Sequence, residues 1–226
     1  MSRHVIICVN GILTNPGDSD GWTDRAVTWL HLHTEAHAEK FEYAAGIFTR
    51  RLQQHVRAWA IARMAKFYFE AGWSVSLLGH SNGCDLIARV LDLTRSRCFR
   101  SVHLFAAAAD GRDFYDALGR QQIGRVFLYG SENDRALKLA ALSRKLFGWL
   151  GLGYGSFGLR VKWVTFVDTG FTAVNDNSQT HSSWFARGHA FERTMRLIRR
   201  HEFPLLAELP AYLGGGRTSP ADAPQS

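Results

Sequence analysis

Gly79-His80-Ser81-Asn82-Gly83 sets a serine between two glycines at Gly-x-Ser-x-Gly spacing. A serine hydroxyl is a weak nucleophile near neutral pH. It attacks a carbonyl only when a base takes its proton and an acid holds that base in the right tautomer. The glycines have a physical role, because a side chain lifted clear of a strand-to-helix turn needs strained backbone. Neighbours without a Cβ let the two elements approach closely. With 21 glycines in the chain, the five-residue pattern alone carries little, since a structural serine in a Gly-rich turn looks the same. Its surroundings give it weight. Trp73 to Leu78 reads as a strand and Asp85 to Thr94 as a helix, so Ser81 falls on the turn between them. The helix start points free amides and the positive dipole end at charge developing beside Ser81.

Acids and bases follow in chain order. Asp134 comes after the strand Val126 to Tyr129, in Gly130-Ser131-Glu132-Asn133-Asp134, and opens a helix. Capping that helix is a common job for Asp and competes with a chemical role. Asp110, after the preceding strand, is the alternative acid, with Glu132 and Asp168 behind it. Two histidines follow the expected last strand, Val161 to Val167. His181 ends the polar loop Thr169 to Thr180, whereas His189 falls inside the final helix, where it is less free to reach the strand ends. His31, His33, His37 and His55 sit in helical or connecting segments, and His80 is given no chemical step. An oxyanion needs two backbone donors. The amide of Asn82 supplies one, and the loop Val9-Asn10-Gly11-Ile12-Leu13 the other.

The elements that must position these groups alternate along the chain. Val5 to Val9, Phe41 to Ala44, Trp73 to Leu78, Val102 to Ala106, Arg125 to Tyr129 and Val161 to Val167 read as strands. Between and after them, Trp22 to His33, Leu52 to Ala71, Asp85 to Thr94, Ala136 to Phe147 and Ser183 to His201 read as helices, with Gly72 a stop signal. This alternation predicts an α/β fold: a mostly parallel central sheet with helices on both faces, in three layers. Functional groups in such sheets collect at the carboxyl ends of the strands. One domain spans 1–209, and the Gly- and Pro-rich tail 210–226 reads as disordered.

In the serine turn, the Asp134 loop and the His181 segment the sequence resembles the α/β-hydrolase family of esterase- and lipase-like serine hydrolases, over most of residues 4 to 201 by element order. The resemblance implies a Ser, acid, His order, with Asp134 in a loop similar to Gly-x-x-x-Asp. It implies His181 as base, followed by a polar cap and an aromatic pair in Ser182-Ser183-Trp184-Phe185. It gives the second oxyanion donor to the amide of Ile12. Members often carry His-Gly where this chain has Asn10-Gly11, which leaves Asn10 either orienting the loop or touching substrate. The resemblance further implies a compact form that begins at the strand the family places third, without an early hairpin or a large cap domain. The implied activity is hydrolysis of a carboxylic ester, acyl or lipid-like, through an acyl-enzyme and without a cofactor. A thioesterase or acyltransferase would use the same residues, and a non-catalytic hydrolase-like binding protein is the alternative from another class.

Composition narrows the rest. A chain of 226 residues, 46% hydrophobic and 21% charged, builds a full-sized core without staples. Cys8, Cys84 and Cys98 are odd in number and lack metal-ligand spacing, which suggests no metal and a reduced, cytoplasmic interior. The chain enters a strand at once, with no leader and no membrane-length apolar run. The net charge of +7 comes from arginines in three groups, at residues 50–63, 95–100 and 196–200, expected on wet helix faces. No stripe interleaved with stacking aromatics suggests nucleic acid, and nothing in the chain sets an oligomeric state. Finally, Phe147 to Gly158 alternates large apolar residues with glycine. It reads either as a mobile flap that meets substrate through Trp149 and Phe157, or as a buried connection on the sheet edge.

Overall fold

The computed structural model describes residues 3–11, 21–43, 50–95, 97, 99–147, 155–160 and 170–204. Six strands form one sheet: β1 (His4–Val9), β2 (His37–Phe41), β3 (Ser74–His80), β4 (Ser101–Phe105), β5 (Val126–Gly130) and β6 (Phe171–Asn175). Their order is β2-β1-β3-β4-β5-β6 and every neighbouring pair is parallel. Among the described residues six α-helices accompany them: α1 (Trp22–His33), α2 (Arg50–Glu70), α3 (Gly83–Leu93), α4 (Gly111–Gly119), α5 (Arg135–Phe147) and α6 (His189–Glu202).

Parallel strands need crossovers, and the crossovers cover both faces of the sheet. The period-2 alternation of β1 shows how the layers are divided. Val5, Ile7 and Val9 pack with Ala58 and Ile61 of α2, Leu86 and Val90 of α3 and Phe114 of α4. Ile6 and Cys8 turn to the other face, against Trp29 and Leu30 of α1 and Met195 and Ile198 of α6. This is the expected three-layer α/β architecture.

The interior strands fall where the apolar runs predict them; the edges do not. β2 lies at His37–Phe41, four residues before the expected Phe41 to Ala44. β6 is Phe171–Asn175, inside the stretch read as a polar loop. The expected strand Val161 to Val167 lies outside the described residues, as do Asp168, Cys98, Trp149 and the tail 210–226. Helix α4 is unforeseen, and Asp110 caps it by accepting the Arg112 amide. α6 starts at His189 rather than Ser183, with a short 3-10 turn at Ser183–Phe185 before it. One arginine expected on a wet face is buried, and an exposed one is tied to the interior. Arg57 is buried with its guanidinium over the Tyr43 ring, and Arg100 pairs with Glu202. Cys8 and Cys84 are buried free thiols, and burial raises both pKa values, that of Cys8 to about 12. Among the described residues no His, Cys, Asp and Glu cluster suits a metal, and no helix is long and apolar enough to cross a membrane.

Candidate active site

β3 leaves the sheet at His80 and the next residue, Ser81, takes φ = 55°. For a residue with a side chain this left-handed conformation costs about 1–3 kcal/mol and survives only where the surroundings enforce it. Here they do. The Ser81 amide donates to the Phe105 carbonyl at 2.9 Å, and the Ser81 carbonyl accepts from Cys84 at 3.1 Å and Ala108 at 3.2 Å. Both motif glycines answer to close approach. A Cβ on Gly79 would meet Ile87 at 2.6 Å, and one on Gly83 would meet the Val9 and Asn10 carbonyls at 2.5 and 2.6 Å. The end of β1 thus lies directly against the start of α3.

Asp134 lies in the loop beyond the carboxyl end of β5, buried, immediately before the first residue of α5. One oxygen, Oδ1, accepts the Leu137 amide at 3.0 Å and caps the helix. The other, Oδ2, lies 2.9 Å from His181 Nδ1. Because a carboxylate only accepts, that nitrogen carries the proton, which leaves His181 Nε2 free to accept from the Ser81 hydroxyl at 2.7 Å. The structure therefore brings Ser81, His181 and Asp134 into one hydrogen-bonded chain across three strand ends. The arrangement can draw the hydroxyl proton onto the imidazole while the carboxylate balances the imidazolium.

The other expected acids and bases lie elsewhere. Asp110 caps α4, the Glu132 amide donates to Asn177, and His189 is exposed at the start of α6. His80, assigned no chemical step, has a structural one that the sequence did not disclose. Its Nε2 donates to the His181 backbone carbonyl at 2.7 Å, and its ring packs edge-on to Trp22 and Phe185. Burial, and then the neighbouring His181, push its pKa down to about 4, so it stays a neutral donor near pH 7. The aromatic pair after His181 anchors the same loop: Trp184 and Phe185 are buried, and Phe185 stacks on Trp22 at 4.2 Å.

On the oxyanion side, the Asn82 amide at the start of α3 engages no backbone acceptor among the described residues. The Asn82 side chain is turned back, its amide group donating to the Tyr43 hydroxyl at 3.3 Å. Asn10 is buried, and its Oδ1 accepts both the Gly11 amide at 2.9 Å and the Trp22 indole at 2.7 Å. Of the two roles open to Asn10, these contacts favour orienting the loop over touching substrate. With the Gly11 amide taken, the loop's next donor is Ile12, which lies outside the described residues. Of the two readings of Phe157, the structure favours the buried connection: it is 3% exposed and packed with Phe114, Tyr115 and Phe171. Over Ser81 and His181 a hollow of about 300 Å³ opens, walled by Ala108 and by Leu137, Leu139 and Ala140 of α5.

No protein-family model matches the sequence, and no curated protein matches it. Solved structures do. Est1E from Butyrivibrio proteoclasticus superposes with a TM-score of 0.57 at 11% identity, over 92% of this chain and 90% of that one. XC6422 from Xanthomonas campestris, described as an α/β serine hydrolase without lid, gives 0.55 at 13% identity, over 91% and 84%. The RedJ thioesterase of Streptomyces coelicolor gives 0.51 at 12% identity, over 87% and 89%. The likeness extends over nearly the whole of each chain, and the fold is that of the α/β hydrolases.

Proposed function

We propose that this chain of α/β-hydrolase fold is a serine hydrolase that cleaves carboxylic esters through an acyl-enzyme on Ser81. The observation that carries the reading is the unbroken relay from Ser81 Oγ through His181 to Asp134, at 2.7 and 2.9 Å. Ser81 Oγ attacks the ester carbonyl carbon as His181 Nε2 takes its proton. The tetrahedral oxyanion is met by the Asn82 amide and by that of Ile12. Its collapse breaks the ester bond, with the His181 proton passing to the leaving alkoxide. Water, deprotonated by His181, then releases the acid and frees Ser81. Asp134 holds the imidazole in the Nδ1–H tautomer throughout.

A fluorophosphonate probe tests this directly. The protein is expected to be labelled at Ser81, with labelling lost in Ser81→Ala and His181→Ala and kept in His189→Ala. A folded protein that resists the probe would overturn the proposal. The RedJ neighbour is a thioesterase, so a matched ester and thioester pair belongs in the first substrate panel.

A further inference from the structure

Beside the hollow at Ser81 lies a larger cavity, of about 460 Å³. Their linings adjoin along the chain: the hollow takes Ala108 and Ala140, and the cavity takes the next residues, Ala109 and Ala141. One side of the cavity is aromatic, formed by Tyr115 and Phe157. Among the described residues, three cations line the rest, Arg112, Lys145 and Arg160, with a single carboxylate, Asp110. Asp110 is engaged locally, its Oδ1 accepting the Arg112 amide at 3.2 Å and lying 3.8 Å from Arg112 Nε. Lys145 and Arg160 enter no ion pair among the described residues. A cavity with an aromatic wall and surplus guanidinium and ammonium groups suits an anion, since arginine forks a carboxylate. Asp110 on the same wall disfavours a doubly charged one. Along α5, Ala140 and Lys145 are five residues apart, about 7.5 Å at the helical rise.

We infer that this cavity is an anion subsite of the Ser81 centre, and that the substrate is an ester with a terminal carboxylate on its acyl chain. The inference rests on the proposed serine hydrolase reading for its reaction, but binding tests it separately. The 4-nitrophenyl monoester of adipate should be turned over with a kcat/KM about 5- to 10-fold above 4-nitrophenyl hexanoate, the scale of one or two charge-assisted contacts at a half-open site. The difference should lie in KM. Lys145→Gln/Arg160→Gln should erase it while leaving hexanoate turnover unchanged. Lys66→Gln/Arg196→Gln, which removes equal charge from α2 and α6, should preserve it. Equal loss in both double variants would assign the preference to the overall positive field and overturn the subsite. In Ser81→Ala, calorimetry should show monomethyl adipate binding more tightly than methyl hexanoate, and equal binding would also overturn it. Should neither ester turn over in the wild type while that binding preference persists, the hydrolase reading fails and the anion subsite stands.

Discussion

Asp134 divides its two oxygens between the fold and the proposed chemistry, so its two roles are separable by substitution. Asn keeps an oxygen for the Leu137 amide and turns an NH2 toward His181 Nδ1. That imposes the wrong tautomer, with Nε2 protonated and unable to accept from Ser81. Ala removes both contacts. Asp134→Asn is therefore expected to cost about 10²- to 10⁴-fold in the rate of Ser81 labelling at nearly unchanged stability. Asp134→Ala should lose that rate and about 1 kcal/mol of cap energy besides. Labelling kinetics and urea melts on the two variants separate the effects, and an Asn variant that labels at the wild-type rate would show Asp134 to be only a cap. The sequence posed cap and acid as alternatives, because chain order cannot show that one carboxylate faces two partners. His80 was opaque for a similar reason: its acceptor, the His181 carbonyl, lies 101 residues away.

At the scale of elements, legibility followed burial. β1, β3, β4 and β5 are flanked on both sides in the sheet, are almost wholly buried and read as continuous apolar runs. The edge strands β2 and β6 are half exposed, and their polar positions hid them. α4 buries little beyond Phe114 and Ala117, too sparse a stripe to show a period. The serine turn was legible because its glycines stand at fixed local spacing around Ser81, although what they make room for, the Ile87 side chain and the Val9 and Asn10 carbonyls, is set by the fold. That makes Gly83 the sharper test of the turn. A methyl there would press on the Val9 and Asn10 carbonyls, whose backbone cannot swing aside as a side chain would. Gly83→Ala should cost about 1–3 kcal/mol and push the β1 loop away from α3. Folded Gly83→Ala protein should then label slowly, through a displaced oxyanion donor, while the Ser81–His181–Asp134 contacts survive. Wild-type stability and rate would mean that the β1 end and α3 are further apart than described.

Across the whole molecule, the amino-terminal half of the sheet holds a second buried polar group, away from Ser81. Glu202 at the end of α6 meets His103 at 2.9 Å, His4 at 3.2 Å, Ser76 at 2.8 Å and Arg100 at 3.1 Å, and also accepts from Ser101. This ties the last helix to β1, β3 and β4. Burial alone would raise the Glu202 carboxyl, but hydrogen bonds from His103 and His4 outweigh it and hold it well below its ordinary value. A depressed carboxyl stabilises the fold above its unfolded pKa, near 4.5, and that contribution is lost as pH falls through the folded one. His80 and His201 act earlier, since burial holds both near pKa 4. Between about pH 6.5 and 4 the unfolded chain takes up protons that these two refuse in the fold, so stability declines across that window. The melting temperature is therefore expected to slope down gently below pH 6.5 and steeply below 4.5. Glu202→Gln should cost about 3–5 kcal/mol at pH 7 by leaving Arg100 without its counter-charge and the buried His4, His103, Ser76 and Ser101 without their shared carboxylate acceptor, while Ser81 in the remaining folded protein still labels. Its deficit relative to wild type should shrink below pH 4.5, where Glu202 in the unfolded wild-type chain takes up protons that the folded carboxylate refuses. A deficit that instead widened in acid would mean that Glu202 is already protonated in the fold at neutral pH, and that its role there is that of a neutral donor.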